Sequence, residues 1–168
     1  GSYPHQTLFR EAMCVKKYAT NREVELLELT IPLSERYLTI PRLVLGDVFV
    51  KAGLDVCEIT SYKIALTEIC RNLVYFSYRH LEPKPLELVF STTPEKLTIG
   101  VSNRSKCICT KRVKTHPILS RLDDAHDLDL LMVSSLVDDL RTGLRHTNGE
   151  CIAFVVMTKY LRESASHL

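Results

Sequence analysis

The spacing of apolar residues is most regular between Glu58 and Arg79. Apolar side chains recur there at alternating intervals of three and four, which is the spacing of one face of an α-helix. The pattern predicts a long amphipathic helix whose apolar stripe packs against the core. The residues of that stripe are Ile59, Tyr62, Leu66, Ile69, Leu73 and Phe76.

Shorter patterns before this helix predict three further elements. The segment Pro4–Arg22 is weakly amphipathic and predicts either a helix or an extension that enters the domain. A run rich in Leu and Ile begins at Val24 and predicts a first strand that ends before Pro32. Another helix is predicted over Arg42–Ala52, because Pro41 suits its first turn and the glycine after it suits its end.

The second half of the chain predicts more strands than helices. Strands are expected at Leu86–Thr92, Lys96–Ser102 and Cys151–Leu161, the last after a turn at Asn148-Gly149, and a helix is expected at Leu128–Leu140. The order of elements predicts an α+β fold. We expect a two-layer sandwich in which helices cover one face of a mixed, mostly antiparallel sheet.

Length and composition limit the classes of protein that fit. The chain has 168 residues, 45% of them apolar and 25% charged, with a net charge of +2. These values favour one globular domain, with no nucleic-acid partner expected from the whole-chain charge and no membrane partner expected from apolar runs. The expected boundaries are a cleavage scar and extension at 1–22, the domain at 23–163 and a tail at 164–168. The irregular spacing of the six cysteines predicts mostly reduced thiols and a cytoplasmic location.

Glu68 and Asn72 are the first candidate site residues. They lie one helical turn apart, on a face rotated away from the apolar stripe. A carboxylate and an amide are therefore presented together at the margin of the core. On spacing alone, a solvated helix flank is the alternative interpretation.

A family resemblance gives this pair a role. The segments PRLVLGDVF, LTEICRNLVYFSY and MTKYL resemble, in order and spacing, the serine-protein-kinase anti-sigma factors of bacteria, over about Glu25 to Leu161. That family belongs to the superfamily of histidine-kinase ATPase domains, so the resemblance implies a histidine-kinase-like ATPase fold. It also implies that Glu68 is the ancestral general base and that Asn72 is the magnesium ligand, if ATP binds.

The other nucleotide motifs of the family are altered in this chain. Asn103 stands where the family has an adenine-binding Asp, and Ser105 stands where it has a glycine. The family's second glycine motif is replaced by a segment that contains Asp127 and Asp129. Side chains and negative charge there oppose phosphate, so we expect ordinary ATP binding to be lost.

Other interpretations of the region between residues 104 and 130 stay open. Asp127 or Asp129 would cap the helix that follows. An acidic cation site and a zinc site are the metal-binding alternatives, and a basic loop that faces an anion is a third. The residues of these three alternatives are Asp123, Asp124, His126, Asp127 and Asp129; Cys107, Cys109 and His116; and Lys111, Arg112 and Lys114, respectively.

The resemblance implies two leading functions. The first is an anti-sigma-factor-like regulator of transcription that needs no cofactor and acts by partner switching. It would form a homodimer and bind a sigma factor or an antagonist protein, with Arg42 at the partner contact. The second is an active serine kinase that uses Mg·ATP, Glu68 and Asn72 to phosphorylate the antagonist. A sensor that binds another small molecule in the vacated pocket is a third possibility.

Overall fold

The computed structural model describes residues 24–106, 128–147 and 149–161. Within these residues the chain forms five strands, three α-helices and one short 3₁₀ turn. In chain order the elements are β1 (Glu25–Ile31), the 3₁₀ turn (Glu35–Tyr37), α1 (Thr39–Lys51), α2 (Val56–His80), β2 (Leu86–Thr92), β3 (Lys96–Lys106), α3 (Leu128–Leu136), β4 (Asp139–Thr147) and β5 (Glu150–Tyr160).

The strands form a single sheet in the order β1-β2-β3-β5-β4. Each of the four pairings is antiparallel. The main core consists of helix side chains packed on one face of this sheet, so the predicted α+β two-layer fold is confirmed. The prediction of a mixed sheet is wrong, because every pairing among the described strands is antiparallel. β1 and β4 are the edge strands, and β1 pairs only with β2 among the described strands.

The long predicted helix forms as α2, and its first turn shows why it begins where it does. The Asp55 carboxylate accepts a hydrogen bond from the Glu58 backbone N–H at 2.8 Å, and the Glu58 carboxylate accepts one from the Asp55 N–H at 3.2 Å. This reciprocal capping box satisfies two backbone donors at the helix start. The predicted apolar stripe is buried except for Phe76, which packs at the edge of the core.

The first helix packs against the start of α2. Leu45 and Phe49 of α1 are buried, and the Phe49 ring lies 5.1 Å from the Tyr62 ring of α2, centroid to centroid. Gly53, at φ +81°, follows the end of α1 in the left-handed conformation that glycine tolerates best. The tight connection brings α1 back along α2, over the same face of the sheet.

The predicted helix at Leu128–Leu140 is too long. The helix α3 ends at Leu136, and β4 begins at Asp139. Long-range contacts explain the difference: the Asp138 N–H donates to the Tyr62 hydroxyl at 3.0 Å, and the Asp138 carboxylate accepts from the Tyr160 N–H at 2.9 Å. These bonds hold the chain in a bend that a continuing helix could not adopt.

Three cysteines lie within the described residues. Cys57 is free and exposed, and Cys70 is free and fully buried. Burial raises the pKa of the Cys70 thiol to about 12, so this thiol behaves as a small apolar core residue. Cys151 is disulfide-bonded, unlike the reduced thiols that the cysteine spacing predicts for most positions.

Among the helices of the described residues, none combines the length and the apolar character that crossing a bilayer requires.

We predict that Tyr62→Phe destabilises the fold. The Tyr62 hydroxyl is buried, donates to the Thr158 carbonyl at 2.8 Å and accepts from the Asp138 N–H. Its removal leaves both backbone groups without this partner, which costs about 1–3 kcal/mol of unfolding free energy. Urea unfolding measures the change. The control is Tyr160→Phe, on an exposed ring in the same region; equal midpoints for the two variants would contradict the prediction.

Candidate functional site

Glu68 and Asn72 lie together on α2, at the margin of the core. The Asn72 side-chain nitrogen donates a hydrogen bond to the Glu68 backbone carbonyl at 2.8 Å. This bond fixes which end of the amide faces the helix, so the oxygen is left as its acceptor. Among the described residues, none donates a hydrogen bond to that oxygen. An amide oxygen in this position can accept a hydrogen bond or ligate a hard cation.

The Glu68 carboxylate is mostly buried and is held by an ion pair. Its side chain is 15% exposed, and Oε1 accepts a hydrogen bond from Arg71 Nη1 at 2.6 Å. The Arg71 guanidinium also lies 3.7 Å from the carboxylate of Glu35, measured from Nε to Oε1. Two acids therefore share one cation, and the candidate base is ion-paired in this conformation.

Asn103 lies on β3 and is fully buried. Its side-chain nitrogen donates to the Lys84 carbonyl at 2.7 Å and lies 3.5 Å from the Pro85 carbonyl. Its side-chain oxygen is buried and has no hydrogen-bond partner among the described residues. Buried acceptors are almost always satisfied, so this oxygen marks a place where a donor from a ligand or a water would bind. The exocyclic amino group of adenine is a donor of this kind.

Ser105 lies two residues further along β3, on the same face of the sheet. Its hydroxyl is buried and donates to the Glu82 carbonyl. Asn103 and Ser105 together tie the end of β3 to the segment that connects α2 with β2. We expected both residues just beyond the strand, but β3 continues through them to Lys106.

The structure brings some predicted site residues together and separates others. Glu68 and Asn72 are joined directly, and α2 packs on β3, which carries Asn103 and Ser105. Arg42 lies apart from them, exposed on α1. Asp129 falls within α3, but its side chain lies outside the described residues, as does Asp127 altogether.

The other predicted sites between residues 104 and 130 lie mostly outside the described residues. This applies to the C-x-C pair with His116, to the acids before Leu128 and to the basic residues at 111–114. The two metal-binding interpretations and the anion-facing loop therefore stay predictions. No group of three or more His, Cys, Asp or Glu side chains with a metal-binding arrangement occurs among residues 24–106, 128–147 and 149–161.

Arg71 is the site residue that sequence reasoning missed. Its signal was present, because it follows Glu68 by three positions on a helix and ion pairs form readily at that spacing. Its contact with Glu35 could not be predicted in the same way, since that residue lies before α1.

Comparison with known proteins identifies the family. Residues 31–156 match the model of the histidine kinase-like ATPase domain, and the chain belongs to this family. The serine-protein kinase RsbW of Bacillus cereus (strain ZK / E33L) is 26% identical over 144 residues, which cover 82% of this chain and 86% of that protein. The RsbW of Bacillus mycoides (strain KBAB4) is 28% identical over the same length and coverage. The chain is thus a distant homologue of RsbW.

Two solved structures share the fold. The structure of the RsbU and RsbW domains of Rv1364c from Mycobacterium tuberculosis matches with a TM-score of 0.52 at 16% identity, over 80% of this chain and 33% of that one. The SiaB-SiaC complex from Pseudomonas aeruginosa matches with a TM-score of 0.56 at 10% identity, over 95% of this chain and all of that one. At these identities the similarity extends to the fold alone.

We predict that Asn103→Asp, which introduces the family's residue, destabilises the ligand-free protein at neutral pH. An ionised carboxylate cannot donate to the Lys84 carbonyl and is buried beside it. The expected cost is about 1–3 kcal/mol. Because burial raises the pKa of the introduced carboxyl in the folded state, the deficit should grow as the pH rises above about 4. Urea unfolding at pH 4 and pH 7.5 measures it; a deficit that is larger at pH 4 would contradict this reasoning.

Proposed function

We propose that the chain is an anti-sigma-factor-like regulator that acts by binding protein partners and exchanging them, with ATP binding lost or weakened. The observation that carries the proposal is the outer face of α1. Leu43 is 65% exposed and Val50 is 63% exposed on this face, and the exposed Arg42 lies about 100° around the helix from Leu43. Large apolar side chains exposed along one helix face are typical of a protein-binding surface.

This surface has the composition expected of an interface. Ile40, Leu43 and Val50 are spaced so that they share one side of α1, and Arg is among the residues enriched at binding hot spots. On the edge strand β1, Leu26 and Leu27 are 40% and 42% exposed. An edge strand with apolar side chains can also pair with another chain.

The relatives make protein partners the expected class of ligand. RsbW proteins are named as serine-protein kinases, and SiaB was solved in a complex with SiaC. By analogy, we propose a sigma factor or an antagonist protein as the partner of this chain, and a homodimer as its working form. The α1 face with Arg42 is the proposed contact.

Weak ATP binding is supported by a feature of the sequence. The chain has no glycine between Gly100 and Gly143, although the family places its phosphate-binding glycines in this interval. The ion pair of the Glu68 carboxylate with Arg71 bears on the proposed base and not on ATP binding. Among the described candidate residues, Asn72 and Asn103 are the ones that offer an oxygen to Mg·ATP, and we propose that the protein works without a cofactor.

An active serine kinase is the second candidate. It is favoured by the buried side-chain oxygen of Asn103, which has no hydrogen-bond partner among the described residues. A buried acceptor without a partner is costly, and an adenine amino group would satisfy it. The half-buried Asn72 oxygen could hold magnesium at the same time. In this case Glu68 would act as the base that takes the proton of the attacking serine hydroxyl.

The binding proposal predicts a specific effect of Arg42→Ala. We expect the wild-type chain to capture one of the sigma factors or antagonist proteins encoded in its source genome. Arg42→Ala should weaken the complex at least about tenfold, which is typical of a hot-spot residue. Isothermal titration measures the dissociation constants. Arg141→Ala, an exposed Arg on the opposite edge strand, is the matched control; no capture by wild type, or equal losses in both variants, would refute the proposal.

The kinase candidate predicts transfer of the γ-phosphate of labelled ATP to a serine of the captured partner. Asn72→Ala and Glu68→Gln should each abolish transfer, because one removes the metal ligand and the other removes the base. Autoradiography of the separated partner gives the readout. Transfer that persists in both variants would rule out this site, and its absence in wild type would favour the binding function.

A further inference from the structure

We propose that Arg71 is a positioning residue for Glu68, and that it couples this carboxylate to Glu35 beside the proposed partner face. The proposal rests on the proposed function only for the identity of that face. The coupling itself follows from Arg71, which lies within ion-pair distance of both Glu68 and Glu35.

The first step is the pair on α2. Arg71 Nη1 lies 2.6 Å from Glu68 Oε1, and Glu68 is much less exposed, at 15%, than Arg71, at 43%. A partly buried carboxylate gains more from a nearby cation than an exposed one does, because water screens it less. Arg71 therefore holds the Glu68 carboxylate in position.

The second step is the contact to Glu35. Arg71 Nε lies 3.7 Å from Glu35 Oε1, and the Glu35 side chain is 61% exposed. A guanidinium carries five N–H donors in a fixed plane, so it can serve two carboxylates at once. The two acids then compete for one cation, and a change at Glu35 alters the pairing of Glu68.

The third step is the location of Glu35. It lies in the 3₁₀ turn that leads into α1, the helix that carries Arg42. The Tyr78 hydroxyl donates to the Leu33 carbonyl at 2.9 Å, which fastens the chain just before this turn to α2. A protein that binds along the turn and α1 would contact Glu35 directly. Arg71 thus connects the proposed partner face with the candidate base.

Carboxyl labelling of the full chain tests the coupling without any partner. A water-soluble carbodiimide with glycine ethyl ester modifies accessible carboxyl groups, and peptide mass spectrometry gives the rate at each acid. We expect Arg71→Met to raise the labelling rate of Glu68 about two- to fivefold, the range that a part-exposed ion pair provides. Arg71→Lys, which keeps the charge, should restore most of the protection.

The link to Glu35 gives a second readout. Glu35→Gln should lower the labelling of Glu68 by up to about twofold, because Arg71 then serves one carboxylate instead of two. The same change made together with Arg71→Met should have no effect on Glu68. A purely structural role for Arg71 would not produce this dependence.

A matched control comes from α1. Lys51 Nζ lies 2.6 Å from Asp47 Oδ2, the same separation as in the Arg71–Glu68 pair. Lys51→Met should raise the labelling of Asp47 and leave Glu68 unchanged. Circular dichroism spectra identical to wild type confirm that each variant is folded under the labelling conditions.

The outcomes separate this inference from the proposed function. Unchanged Glu68 labelling in folded Arg71→Met overturns the inference, even if partner capture succeeds. An effect of Glu35→Gln that is the same with and without Arg71 also overturns the coupling. Failure of partner capture leaves the labelling result intact and counts only against the proposed function.

Discussion

The packing of α2 on the sheet is the constraint on which the rest of the structure depends. The helix packs one apolar stripe against the sheet, and the stripe residues Leu66, Ile69 and Leu73 are almost completely buried there. Burial of side chains of this kind contributes about 1.5–3 kcal/mol each, so the rotation of the helix about its axis is fixed. Glu68 and Asn72 then fall at the margin of the core, where they are held in place but can still reach a ligand.

Polar contacts at both ends of α2 fix its position along its axis. The capping box at Asp55 and Glu58 sets the start, and the Tyr62 hydroxyl joins the first turns to β5 and to the bend after α3. Near the other end, Tyr78 is bonded to the chain before α1. One helix therefore connects the sheet, the proposed partner face and the candidate nucleotide residues. A structural change at one of these places can alter the position of the others through α2.

The site combines features of a nucleotide pocket with features that oppose one. The Asn103 side-chain oxygen is a buried acceptor without a hydrogen-bond partner among the described residues, which costs on the order of 1–3 kcal/mol. Arg71, by contrast, forms an ion pair with Glu68, the proposed base. Both features are compatible with a family member that retains the shape of an ancestral site while its own function has moved to protein binding.

The sequence was sufficient to predict the parts of the fold that depend on local patterns. The stripe of α2, the hairpin of β2 and β3 and the final strand follow from periodicity, and the pairing of Glu68 with Asn72 follows from a spacing of one turn. The predicted end of α3 was wrong because Asp138 is hydrogen-bonded to Tyr62 and Tyr160, which are distant from it in sequence. The tie between Asn103 and Lys84 and the contact of Arg71 with Glu35 were missed for the same reason. Local sequence patterns indicate which residues are candidates for the chemistry. Contacts between residues that are distant in sequence determine which of their polar atoms can still bind a ligand.

Calorimetric titration of the wild-type protein with Mg·ATP tests the central claim most directly, because loss or weakening of nucleotide binding separates a protein-binding regulator from a kinase. The account predicts no saturable binding at micromolar ATP. A dissociation constant in the micromolar range, abolished by Asn72→Ala and by Asn103→Leu, would contradict it and would establish the site as a working nucleotide pocket.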